Sequence, residues 1–295
     1  MNATKDLEFE HCGRPVTKKE IEEIQEIVNL FPKLSLTELS ATVSETLSWF
    51  TASGQSKFDA CRSLLERLEE RGLVKLPEKR AMTKTRTPKR RKRQKLSEIP
   101  IETTLAKLGD IEIEVANNSE NKLLFQDCLA NYHYLGYFKP FGCYMCYFIQ
   151  CRQGPLGCML YSGAARKIAY RDNWIGWTVS QRKRNQGLVI NNNRFLIFPW
   201  VKVKNLASYV LGNINRRVCK DWEDCWNYKP VLMETFVEPT RYTGTCYKAA
   251  NWEYLGMTTG IGLARKGKTY ASTPKMIFVR PLRKDFRKFL CSDEI

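Results

Sequence analysis

Histidine is nearly absent. The 295 residues contain two, and His133 is the only one beyond the N-terminal stretch, so any imidazole acid or base in the main domain must be this residue. No run of 18 apolar residues occurs, which excludes a conventional transmembrane helix and makes a membrane partner unexpected. The opening MNATKDLEFEHC carries acids and no apolar segment, so no secretory signal is expected. Walker-A, dinucleotide-fingerprint and nucleophile-elbow sequences are all missing, which removes support for ATPase, Rossmann and serine-hydrolase chemistry. Acidic residues are missing altogether between positions 79 and 95.

What is present is ordinary in bulk and unusual in placement. The apolar fraction of 43% supports a packed core. Eleven cysteines is an odd count without a secreted-scaffold spacing, so free thiols in a reducing cytoplasm are expected. The net charge of +17 is unevenly spread: residues 1–78 hold 10 basic and 14 acidic side chains, 79–95 hold 10 basic ones, and 96–295 hold 28 basic and 17 acidic. A field of this sign, confined to the chain beyond residue 78, favours nucleic acid, with affinity that falls as salt rises.

Residues 1–78 read as a winged-helix-like module. Ile21, Ile24, Ile27 and Val28 recur at helical spacing, Ser35 and Glu38 form a capping-box signal, and a third helix after Ser56 buries Phe58, Cys61, Leu64, Leu65 and Leu68 before Gly72. A strand is expected at 73–76. The third helix mixes Arg62, Arg67 and Arg71 with four acids, so DNA reading and protein docking both stay open. Residues 79–97 read as a basic flexible linker in which Arg90, Arg91, Lys92 and Arg93 are candidates to lie along phosphates.

Residues 98–295 read as one mixed α/β domain. Strands are expected at 111–115, 144–150, 157–163, 194–198, 231–237, 257–260 and 276–280. Helices are expected at 120–131, 180–189, 205–218 and 244–254. This order resembles the GNAT-type acetyltransferase fold. The resemblance implies a cofactor pyrophosphate on a glycine-rich helix N-terminus, but the matching place reads Lys204-Asn205-Leu206-Ala207-Ser208, with no glycine and with Leu206 set to crowd a phosphate. No cofactor is therefore assigned.

Longer phrases carry a closer resemblance. LSWFTASGQSKFDACRSLLERLEERGLVKLP (47–77), YHYLGY (132–137), RDNWIGW (171–177), NNNRFLIFPWVKVKNLAS (191–208), METFVEPTRYTGTCYKAANW (233–252) and PKMIFVRPLRKDF (274–286) resemble the DruA family of Druantia anti-phage defence systems, whose relatives also occur beside or fused to transposases. The resemblance implies an antiviral role, a nucleic-acid context and partner subunits that include a helicase-like protein. It carries no settled chemical activity.

The same phrases supply the candidate site. Glu234 lies mid-strand, either as a general base or as a structural partner of Arg171, Arg194 or Arg241. His133 is an acid/base candidate, or a satisfied residue in an aromatic loop able to stack on a base. Asp172 is a proton or metal ligand, or one half of an ion pair with Arg171 that fixes a loop. Asn191 to Asn193 look like a polar turn, with Asn193 able to read a base edge and Arg194 and Arg171 able to hold phosphate. Thr245 can cap the helix that carries Lys248, and Cys246 is either activated or an inert buried thiol. Cys143, Cys146, Cys151 and Cys158 are spaced poorly for zinc, and no metal is assigned. Lys266, Lys268, Lys275, Arg280, Arg283, Lys284, Arg287 and Lys288 suggest a cationic sheet edge suited to phosphate contact or to an acidic partner. Three functions follow: a DNA-binding defence subunit, an enzyme on a GNAT-like scaffold with Glu234 and His133 as acid and base, and a scaffold that recruits other subunits.

Overall fold

The structure, a computed structural model, describes residues 7–32, 34–77, 93–116, 118–140, 142–265, 268–271 and 273–293. The candidates Arg90, Arg91, Lys92 and Lys266 lie outside these residues. Two compact units divide the chain, residues 1–90 and 91–295.

In the first unit, β1 (Leu7–His11) and β2 (Arg14–Thr17) form an antiparallel hairpin ahead of α1 (Lys18–Leu30), α2 (Leu36–Thr46) and α3 (Phe58–Glu70). Helices α1 and α2 start at reciprocal capping boxes, Thr17 with Glu20 and Ser35 with Glu38, so their first free amides are satisfied locally. Their apolar stripes meet that of α3 in one core around Ile24, Leu39, Val43, Leu64 and Leu65. The strand expected at 73–76 does not form. Gln25 Nε2 donates to Leu73 O at 2.7 Å, and Leu76 N donates to Glu69 Oε1 at 2.9 Å. Side chains thus meet the backbone needs that a ladder would have met, and residues 71–77 form no paired strand. The basic residues of α3 are engaged: Arg62 meets Glu66, while Arg67 and Arg71 lie over the Phe9 ring.

The second unit runs β3 (Ile101–Thr103), α4 (Leu105–Leu108), β4 (Ile111–Val115), α5 (Ser119–Tyr132), β5 (Tyr144–Cys151), β6 (Gly154–Gly163), α6 (Ala169–Ile175), α7 (Val179–Asn185), β7 (Val189–Ile197), β8 (Val201–Val203), α8 (Leu206–Trp226), β9 (Leu232–Val237), α9 (Thr245–Ala249), β10 (Glu253–Met257), β11 (Ile261–Arg265), β12 (Lys268–Ala271), β13 (Met276–Pro281) and α10 (Phe286–Leu290). Seven strands make one sheet in the order β10-β13-β9-β7-β6-β5-β4. All neighbours are antiparallel except β7 and β9, which run parallel because α8 carries the chain back between them. A meander, a crossover and a final strand inserted beside β9 give the GNAT-like topology.

Two apolar layers cover the sheet. Phe125 and Leu129 of α5 pack with Val210, Ile214, Val218 and Trp222 of α8 in one cluster; Ile175 of α6 and Phe286 and Leu290 of α10 pack with Val189, Leu232 and Val279 in the other. No helix among the described residues is long and apolar enough to cross a membrane.

Several local expectations are corrected. Asn191 to Asn193 lie within β7, not a turn: Asn191 and Asn192 pair with β6, Asn191 also pairs with β9, and Asn193 sits at a register shift. Arg171 and Asp172 sit on α6, where they form an ion pair with Nη2 and Oδ1 2.8 Å apart. Helix α9 stops at Ala249 and β10 begins at Glu253, so the expected helix at 244–254 is cut short and the following strand comes early.

Candidate functional site

Strands β7 and β9 pair over only three positions, Val189↔Leu232, Ile190↔Met233 and Asn191↔Glu234. Beyond them the strands part: β7 continues to Ile197 against β6, and β9 continues to Val237 against β13. A parted parallel pair opens a wedge in the sheet. A cavity of about 420 Å³ occupies it, walled by residues 191–197 and 235–238 and by His133, Tyr134, Ala207, Tyr242, Tyr247 and Lys275.

The inner end is polar and mostly paired. Thr235 Oγ1 donates to Asn192 O at 3.0 Å, and the Tyr247 hydroxyl donates to Asn192 Oδ1 at 2.7 Å. Tyr247 is held by stacking on Phe278. Asn191 Nδ2 donates to Glu234 Oε1 at 3.4 Å, whereas Asn191 Oδ1 is buried and accepts nothing. Exchanging the two amide atoms would set an oxygen against the carboxylate, so this orientation is the favourable one.

The outer end is aromatic and cationic. His133 stacks on Tyr134 with centroids 4.8 Å apart, Tyr134 meets Tyr242 at 5.9 Å, and Arg241 lies over the Tyr134 ring at 4.9 Å. Arg194 is half-buried. It donates from Nε to Gly136 O at 3.2 Å and from Nη1 to Asn193 O at 2.9 Å. Burial pushes its pKa down, and no carboxylate among the described residues pairs with it. Burial, reinforced by Arg194, drops the His133 pKa to about 4, so this imidazole is neutral at pH 7. Its Nδ1 accepts the Leu135 amide at 3.1 Å.

Glu234 stands apart from the cavity walls. It is fully buried, with Arg171 Nη1 at 2.7 Å and the Ala165 amide at 2.7 Å. Burial pushes its carboxyl pKa up, against the pull of Arg171 and of the Ala165 amide. The candidate Arg171, expected to hold phosphate, is instead enclosed: Nε and Nη2 meet Asp172 Oδ1 at 3.0 and 2.8 Å, and Nη1 also meets Ala165 O at 2.8 Å. Burial opposes its charge, but Glu234 and Asp172 outweigh that and raise its pKa. Asp172 also receives the Ile168 amide and lies 3.7 Å from Arg182. These three residues form a closed ion-pair cluster behind the wedge.

The remaining candidates are dispersed. Asn193 and Arg194 reach the cavity; Lys248 and Lys284 are exposed; Arg93 is exposed at the start of the second unit. Arg280 donates to Asn251 O at 2.6 Å, Arg283 pairs with Asp285 at 2.5 Å, and Arg287 covers Trp174 and Phe286. Lys284, Arg287 and Lys288 thus belong to a turn and α10, not to a sheet edge. Thr245 is the first residue of α9 and bonds Thr243, while Gly244 with φ 71° occupies the cap position. Burial pushes the Cys246 thiol up, as it does the Cys128 and Cys146 thiols, both to about 12. Sequence reasoning missed Glu238, which lines the cavity, is buried, and accepts from Thr240 Oγ1 at 3.3 Å. Its available signal was the second acid of ETFVEPT just before Pro239, where a strand must end.

The start of α8 does not fit a CoA pyrophosphate cradle. Only Lys204 and Asn205 link β8 to α8, with Asn205 itself in the left-handed region at φ 65°, so no bare-backbone loop is present. Leu206 does not crowd this place as expected. It turns into the core and leaves Ala207 facing the cavity.

The sheet and its wedge define an α/β protein of GNAT-like topology. Similar solved structures are an acetyltransferase from Bacillus subtilis in complex with CoA (8% identity, 59% of this chain and 100% of that one, TM-score 0.36), the aminoglycoside acetyltransferase AAC(6')-Ib in complex with coenzyme A (12%, 60% and 96%, 0.36) and an N-acetyltransferase from Staphylococcus aureus Mu50 (12%, 59% and 99%, 0.34). The strand order and pairing given above, not these scores, define the architecture. No curated protein matches the chain in sequence. The family model described as "Druantia protein DruA" matches residues 66–271. The chain belongs to the DruA family and is a component of a Druantia defence system.

Proposed function

We propose that this chain is the nucleic-acid-binding subunit of its defence system, holding DNA through the basic segment 79–97 and through cations of the second unit. The observation that carries this reading is the mouth of the wedge. Arg194, Arg241 and Lys275 stand there without an acid partner among the described residues, beside the exposed rings of Tyr134 and Tyr242. Unpaired cations interleaved with aromatic faces suit a phosphate chain with bases to stack. Filter binding across a salt series is the test. Each phosphate neutralised contributes about −0.9 to the slope of log K against log salt, so removal of 79–97 is expected to flatten the slope by several units. No retention of DNA, or retention indifferent to salt, refutes the reading.

A second reading is an enzyme on the same scaffold. It is favoured by His133 and Glu238 lining one cavity, and it moves the acid/base role from Glu234 to Glu238. Loss of phage protection in Glu238→Gln, with fold and DNA binding intact, is its expected result. Residues 15–78 supply a third element, a dock for other subunits, including a helicase-like one. Deleting them is expected to abolish co-purification and spare DNA binding.

A further inference from the structure

We infer that the wedge between β7 and β9 takes a single unstacked nucleotide, with its phosphate on Arg194 and its base edge on Glu238. This rests on the nucleic-acid reading and names what the same site selects. Three observations converge. First, the cavity, at about 420 Å³, lies within the usual range for small-ligand sites and is too small for a duplex. Second, a carboxylate on its wall is short of donors. Glu238 is 8% exposed, and among the described residues its side chain receives one long hydrogen bond, from Thr240. A buried carboxylate with few donors is costly, so an occupant that supplies N–H groups is favoured. Third, the outer end offers flat rings, Tyr134 on His133 with Tyr242 alongside, and Arg194 without an acid.

Phosphate alone carries no donors for Glu238. A paired base has its Watson–Crick N–H groups already engaged. An unpaired base presents those groups, a π face and a phosphate together, which is the set of features the three observations require. The protein would then read single-stranded or flipped positions, with the extended basic segment supplying affinity that is indifferent to sequence.

The experiment uses the full chain and an oligonucleotide with 2-aminopurine at one position, presented as single strand, as an unpaired bulge in duplex, and fully paired. An otherwise identical single strand with an abasic site replaces the base, and free mononucleotides form a further arm. Expected are fluorescence quenching for the unpaired forms only, and weaker binding of the abasic strand. Tyr134→Ala and Tyr242→Ala, both at exposed positions, are each expected to weaken the unpaired-base complex about 5- to 100-fold and the abasic complex by less. Equal affinity for abasic and intact strands, or unchanged fluorescence, overturns the inference while salt-sensitive duplex retention keeps the broader reading. Saturable binding of a mononucleotide without retention of any polymer supports the cavity assignment and removes the polymer. Absence of both removes both.

Discussion

Arg171→Met removes the only cation among the described residues that touches Glu234. Both side chains are fully buried in the native protein, and the contact is 2.7 Å. The variant keeps the Ala165 amide on Oε1 but strands a negative charge inside the sheet. Breaking one side of a buried ion pair costs about 3–5 kcal/mol, because the remaining charge is left without compensation. For a unit of this size that is a drop of about 6–20 °C in melting temperature. Urea unfolding followed by tryptophan fluorescence reads the right unit, since six of the seven tryptophans lie beyond residue 91. The double variant Arg171→Met, Glu234→Leu removes both charges and is expected to recover at least about 2 kcal/mol of the loss, an excess over additivity that marks direct coupling. The pH dependence has a definite sign. Without Arg171, burial acts on Glu234 against the Ala165 amide alone, so the folded-state pKa rises further above its unfolded value. The folded variant then binds the extra proton, and its deficit relative to the native chain shrinks as pH falls from 8 toward 5. A loss below about 1 kcal/mol, or no recovery in the double variant, would refute the view that Glu234 is a structural carboxylate.

Other expectations follow from the same geometry. His133 is expected to titrate near pH 4 by NMR, and Arg194→Met to raise that value only in part, because burial is the larger cause. As its folded pKa lies below the unfolded value of 6.5, His133 lowers stability progressively as pH falls from about 6.5 to 4; a folded-state titration near 6.5 contradicts this. Gly157→Ala places a Cβ 2.2 Å from the Leu196 carbonyl oxygen in the β6–β7 ladder, so a loss of at least about 3 kcal/mol, or failure to recover folded protein, is expected in denaturant titrations. Alkylation of the native chain at pH 7.5, mapped by mass spectrometry, should label exposed Cys12 and Cys225 first and spare buried Cys128, Cys146 and Cys158, whose thiol pKa values burial raises; early labelling at Cys158 counts against the packed β5–β6 core.

Local signals in the chain determined much of this molecule. The Ser35–Glu38 cap, the apolar stripes of α1 to α3 and the order of the main sheet strands with α5, α8 and α9 could be read directly, because capping and periodicity depend on nearby residues; the β1–β2 hairpin, β3, α4, α6, β8 and the β11–β12 pair could not. The family was legible for a similar reason, in long phrases that need no geometry. Only tertiary structure decided which polar residues do chemistry and which hold the sheet together. Glu234 and Glu238 are four residues apart in one phrase, yet Arg171, 63 residues earlier, closes over the first and leaves the second at a cavity wall. Asn191 to Asn193 look like a turn until β6 and β9 flank them. The wedge itself exists because two strands, joined through a 21-residue helix, pair for three positions and then separate. No local pattern encodes that separation, since it arises from the competing partners β6 and β13 on either side.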